Sequence, residues 1–152
     1  MGTTTSFQAH LLVSQIDVTY PCSSPRGFPE TNDTVIAAAF ELGGLHAARV
    51  TTTPDNTDQI DWRRAQLTHD IDRFVTLAMP VPFPGARIHT ETIGRVIDRI
   101  AELTTKTYIA LSGPSGIAYS EACAKLNELV SAYQDLVHDL AAGIRRLPHN
   151  GL

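Results

Sequence analysis

A chain of 152 residues is long enough to bury one core without a disulfide or metal staple, and too short for two ordinary domains. With 43% hydrophobic and 18% charged residues it is excluded from the disordered class, and no apolar run is long enough to span a bilayer. A formal net charge of −4 without a basic stripe excludes the electrostatics of a general nucleic-acid binder.

In chain order, the first element is an irregular arm over residues 1–31. Its ragged apolar positions Leu11, Val13, Ile16 and Val18 allow a short strand or helix near Ala9 to Ile16, and the stretch from Tyr20 to Pro29 is rich in breakers. Met1 to Leu12 lacks the basic and long apolar regions of a secretory leader. Cys22 and Cys123 form neither a C-x-x-C motif nor a disulfide framework, so reduced thiols and a cytoplasmic setting are expected.

Asn32 and Asp33 offer N-caps for a first helix to about Arg49, with Ile36, Ala39, Phe40 and Leu45 facing inward. Gly43 and Gly44 inside it each cost about 1 kcal/mol of helix propensity and predict a kink or a close helix contact. After a turn over Thr51 to Asn56, a second helix from about Asp58 to Met79 carries Ile60, Leu67, Ile71, Phe74 and Ala78 on one stripe. Trp62 lies off that stripe and is expected to cover the arm or a partner surface. Pro80 to Gly85 is a linker, because each proline removes a donor and restricts the residue before it.

The third helix is expected from about Ile93 to Leu111, capped by Thr92 or Thr90, with Ile93, Val96 or Ile97, Ile100, Leu103, Thr107 and Leu111 inward. Ser112 to Gly116 turns the chain into a fourth helix from about Ile117 to Leu147. Its inner row is Leu126, Leu129, Tyr133, Leu136, Leu140 and Ile144, which leaves Val130 and Val137, with Ile109 of the third helix, as an outer apolar strip. Arg145 and Arg146 at its end suit the negative pole of the helix dipole. Short connections between long helices predict an all-α fold, an antiparallel up-down bundle of about four helices over residues 32–147, with a tail over 148–152.

The densest polar constellation runs from His89 to Arg99, with Glu102 beyond. Helical spacing places Glu91, Arg95, Asp98 and Glu102 on one side, as a solvated face of ion pairs or as a pocket. In the pocket reading, backbone N–H groups at the helix start, Thr90 or Thr92 and Arg95 or Arg99 hold an anion. Gly94 in the first turn lets a ligand or another backbone come close.

The stretch Thr90-Glu91-Thr92-x-Gly94-x-x-x-Asp98-Arg99-Ile100, followed by Lys106-x-Tyr108, resembles the signature of an uncharacterised bacterial family known as domain of unknown function 4254. The resemblance extends loosely from about Ala37 to Arg146. Ile60-Asp61-x-x-Arg64 and Asp70-Ile71-Asp72 look like that family's second helix, and Phe40 through Ala48-Arg49 like an earlier segment. Where the family pattern has an acidic pair, this chain has Leu45-His46, and where it usually has proline after the second threonine, this chain has Ile93. The resemblance implies no reaction.

No nucleophile elbow, phosphate-binding loop or dinucleotide fingerprint is present. Asp135-x-x-His138 and His69-x-x-Asp72 fall short of a di-iron pattern, so no metal and no cofactor are expected. Cys123 reads as a small packed residue within the fourth helix. The expectation is a non-enzymatic helical binding module that self-associates or docks to another protein, with no nucleic acid and no membrane insertion. The alternative is an enzyme or a binder of a small anionic ligand. Its pocket would be built from Glu91, Thr92, Asp98, Arg99 and Lys106, with Arg49, His46 and Arg64 reaching in and Asp98 or Glu91 as the acid-base group.

Overall fold

The computed structural model describes residues 33–149, so the expected arm over 1–31 and Cys22 lie outside the described residues. Four helices pack into an all-α bundle: α1 (Asp33–Thr51), α2 (Asp58–Ala78), α3 (Ile93–Leu111) and α4 (Gly116–Ala141). A single 3-10 turn, Pro54–Asn56, joins α1 to α2.

The central helix is α3, which packs against the other three. Its apolar residues Ile93, Val96, Ile97, Ile100 and Ala101 are all buried, because steps of three and four keep them on one broad face. Leu42 of α1 and Ile71 of α2 join Ile93 and Ile97 as the most deeply buried large side chains, each contributing roughly 2 kcal/mol by removal from water. The start of α3 is fixed by Thr92, whose hydroxyl accepts from the Arg95 N–H at 3.3 Å. Ser115 caps α4 in the same way through the Ala118 N–H.

Gly94 sets how closely α2 and α3 approach. A Cβ there would collide with the Thr68 carbonyl oxygen and stand 2.9 Å from Asp72 Oδ1, so the close approach expected at this glycine is made by another backbone. At Gly43 and Gly44, by contrast, α1 runs through as continuous helix and nothing among the described residues lies within 4 Å of either Cβ position. The contact there is on the carbonyl side, where the Thr105 hydroxyl meets the Gly43 oxygen at 3.4 Å.

The inward and outward assignments differ from expectation at several positions; Leu111 and Ile144, expected inward, are 53% and 54% exposed. Phe40 is 77% exposed, because the buried stripe of α1 is Val35, Ala38, Leu42 and His46, one step out of phase with it. On α4 the buried row runs Leu126, Val130, Tyr133, Leu136, Val137 and Leu140, so Val130 and Val137 belong to the core and not to an outer strip. Leu129 only packs against its margin, and the Tyr133 hydroxyl is buried without a hydrogen-bond partner among the described residues.

Helix α4 also ends six residues before Leu147. Gly143 takes φ +72, its N–H bonds the Leu140 carbonyl, and the Ile144 N–H reaches back to the Asp139 carbonyl, a Schellman closure that only glycine adopts without strain. The chain then turns to form β2 (Arg145–Arg146), which pairs in parallel with β1 (Arg87–Ile88) of the α2–α3 linker. The Phe83 N–H bonds the Gly143 carbonyl at 2.9 Å, and a Cβ at Gly143 would meet the Phe83 ring at 3.2 Å. The proline-rich linker is thereby anchored to the end of α4.

Candidate functional site

Three helices bring polar side chains together between the first turns of α2 and the middle of α3. His46 extends the buried stripe of α1 one turn past Leu42 and is itself 6% exposed. Its Nε2 lies 2.8 Å from Asp98 Oδ1. Arg64 of α2 grips the same carboxylate in a fork, Nε on Oδ1 at 3.2 Å and Nη2 on Oδ2 at 2.7 Å. Its Nη1 turns back to Asp61 Oδ1 at 3.0 Å, and Asp61 is held from α1 by a second fork from Arg49, both bonds at 2.9 Å.

The result is one hydrogen-bonded chain, His46–Asp98–Arg64–Asp61–Arg49, graded from core to solvent. Side-chain exposure rises from 7% at His46 and 16% at Asp98 to 45% at Arg49. Burial pushes the Asp98 carboxyl up, but the hydrogen bonds from His46 and Arg64, with their charges, outweigh it and leave the group below the ordinary carboxylate value. The Asp98 bond is also the main reason that the Arg64 guanidinium is held above its usual value. Asp61 is lowered chiefly by its bond from Arg49.

The remaining expected site residues sit elsewhere. Arg99 points outward and pairs with Glu91 at 2.7 Å, and Lys106 pairs with Glu102 at 2.6 Å along the exposed side of α3. Thr92 is buried as the helix cap. The face expected to carry Glu91, Arg95, Asp98 and Glu102 together is therefore divided: Asp98 turns inward, while Glu91 and Glu102 take partners on the surface. At the start of α3 the Gly94 N–H is bonded by Asp72 Oδ1 at 2.7 Å, so a carboxylate of the chain's own α2 occupies that part of the anion-favouring end.

Asp61 and Asp72 are the polar partners that sequence reasoning did not place in the site. Asp61 precedes Arg64 by one turn, a spacing visible in the sequence, but its link to Arg49 across the interhelical turn is tertiary. Asp98, with both oxygens engaged by three donors and its charge stabilised, suits a tie between helices better than a proton-transfer group, which works best near the operating pH. No group of three His, Cys, Asp or Glu side chains among the described residues is placed to hold a metal ion. Asp139, beside the expected Asp135-x-x-His138 pair, is taken by Arg145 at 3.0 Å.

Fold and site together define a small helical bundle whose first three helices are cross-linked by a half-buried ion-pair chain. Residues 43–112, from the middle of α1 to just past the end of α3, match the model of a family described as a protein of unknown function, DUF4254. The chain is similar to that family over this stretch, which contains every residue of the ion-pair chain. No curated protein and no solved structure matches. Among the described residues, no helix is long and apolar enough to cross a membrane.

Proposed function

We propose that this chain is a non-enzymatic helical interaction module that pairs with a second copy of itself through the hairpin formed by α3 and α4. The observation that carries the reading is the exposure of every residue from Leu111 to Glu121, among them Leu111 at 53% and Ile117 at 75%. Tyr108 at 60% and Ile109 at 47% continue the same apolar tip on the last turns of α3. Helical turns with no packed face are marginal in water, and an apolar surface rimmed by charge marks association. Lys106, Glu121 and Lys125 supply both signs at the rim, which suits a two-fold contact that sets one patch against itself. Hydrogen exchange of dilute and concentrated protein tests this: amides of residues 108–121 gain protection on concentration, and a profile independent of concentration contradicts the reading.

A second reading, a site for a small anionic ligand or an acid-base reaction, is favoured by the convergence of His46, Arg64 and Asp98 from three helices. Asp98→Asn and Arg64→Ala test it. Ligand responses that both variants leave unchanged, with the protein still folded, count against it.

A further inference from the structure

A second polar feature lies beside the start of α3 and shares no residue with the ion-pair chain. His69, Asp72, Arg73 and Thr76, at helical steps on one face of α2, line a small cleft together with Thr92 and with Leu147, Pro148 and His149. The cleft exists because Gly143 stops α4, and the β1–β2 pairing then directs the following residues back across α2.

From this arrangement we propose that the cleft binds a single phosphate group, as free phosphate or as the head of a small phosphate monoester. Its volume of about 70 Å³ is far below the several hundred Å³ of a site for a whole cofactor or drug-sized molecule, which limits the occupant to one compact group. The polar side chains that can donate come from two chain segments, α2 and the residues after β2, which suits the several acceptors of a tetrahedral oxyanion. Arg73 makes no ion pair among the described residues, so its guanidinium offers a forked, permanently charged grip. His69, His149 and Thr76 also line the cleft and can donate hydrogen bonds. Asp72, the one carboxylate of the lining, is directed by Oδ1 into the Gly94 N–H.

The test is an amide-shift NMR titration of the full chain with inorganic phosphate and with glycerol phosphate, each against sodium chloride at matched ionic strength. The proposal expects saturable shifts confined to residues 69–76, 92–94 and 147–149 with at least one phosphate compound. Arg73→Ala should weaken binding roughly tenfold or more, as loss of a charge-assisted fork implies. Arg73 is exposed, so this variant stays folded, and Arg73→Lys should recover part of the affinity. Tighter binding of the monoester identifies an esterified phosphate as the occupant, and equal binding identifies the bare group. Shifts that chloride reproduces, shifts centred elsewhere, or undiminished binding by Arg73→Ala overturn it.

Discussion

With both oxygens of Asp98 engaged by His46 and Arg64, Asp98→Asn removes one of the two carboxylates that face the Arg64 guanidinium. The partners are half-buried, so the expected loss is about 2 kcal/mol, below the cost of breaking a fully buried pair, and urea unfolding at neutral pH measures it. Because the folded-state value of Asp98 is depressed, its contribution is complete above the unfolded value of 3.8 and disappears as pH falls through the lower folded value. The wild-type chain therefore loses stability on acidification below about pH 4, and the Asp98→Asn chain loses less. Equal acid profiles would show that the carboxylate is not stabilised by folding. Gly94→Ala acts on geometry instead. Its Cβ meets the Thr68 carbonyl, backbone that cannot swing away, and a loss of about 2 to 3 kcal/mol in the same assay is expected.

These residue-level facts were only partly legible in the sequence. Asp98, His46, Arg64 and Arg49 stand out as polar residues at helix positions, and the structure joins the first three directly and Arg49 to them through Asp61. Arg99 and Lys106 looked the same in sequence yet point to solvent. The difference is rotation about α3: Asp98 lies beside the buried edge marked by Ile97, and Arg99 lies a further 100° around the helix. Partners separated by 22 to 52 positions, such as Asp72 with Gly94 or His46 with Asp98, depend on how whole helices dock, and spacing along one helix holds no record of that.

At the scale of elements, the starts and ends of α2 and α3 follow from local chemistry. Thr92 caps α3, the proline run after Met79 forbids helix beyond α2, and both were readable. The end of α4 was missed because the apolar repeat continues through Ile144, while the glycine one residue before it imposes a left-handed turn that no repeat overrides. Gly143→Ala should therefore cost about 1 to 2 kcal/mol and speed exchange of the Arg87 and His89 amides, which bond to the carbonyls of Ile144 and Arg146. Unchanged exchange would mean that the β1–β2 pair holds without the turn. The opposite sign is expected in α1. Gly44 is exposed in regular helix with open space over its Cβ position, so Gly44→Ala should raise stability by about 1 kcal/mol in urea unfolding.

For the whole molecule, the core unites the four helices along α3, and the polar chain sits where α1 and α2 meet it. Neither feature covers the far end of α3 and the start of α4. Of the outer apolar strip expected from Ile109, Val130 and Val137, only Ile109 lies at that end and is exposed. Val130 and Val137 are core, while Tyr108, Ile109, Leu111 and Ile117 form the exposed surface. The helical period is the same for both groups, and what separates them is how far along the helices the neighbours extend. The measurement that bears most directly on self-association through this tip is the molar mass by light scattering on a sizing column, for the wild-type chain and Ile117→Asp side by side at micromolar concentration. The account predicts the mass of two chains for the first and of one folded chain for the second; a wild-type mass of one chain, or a dimer that Ile117→Asp leaves intact, would contradict it.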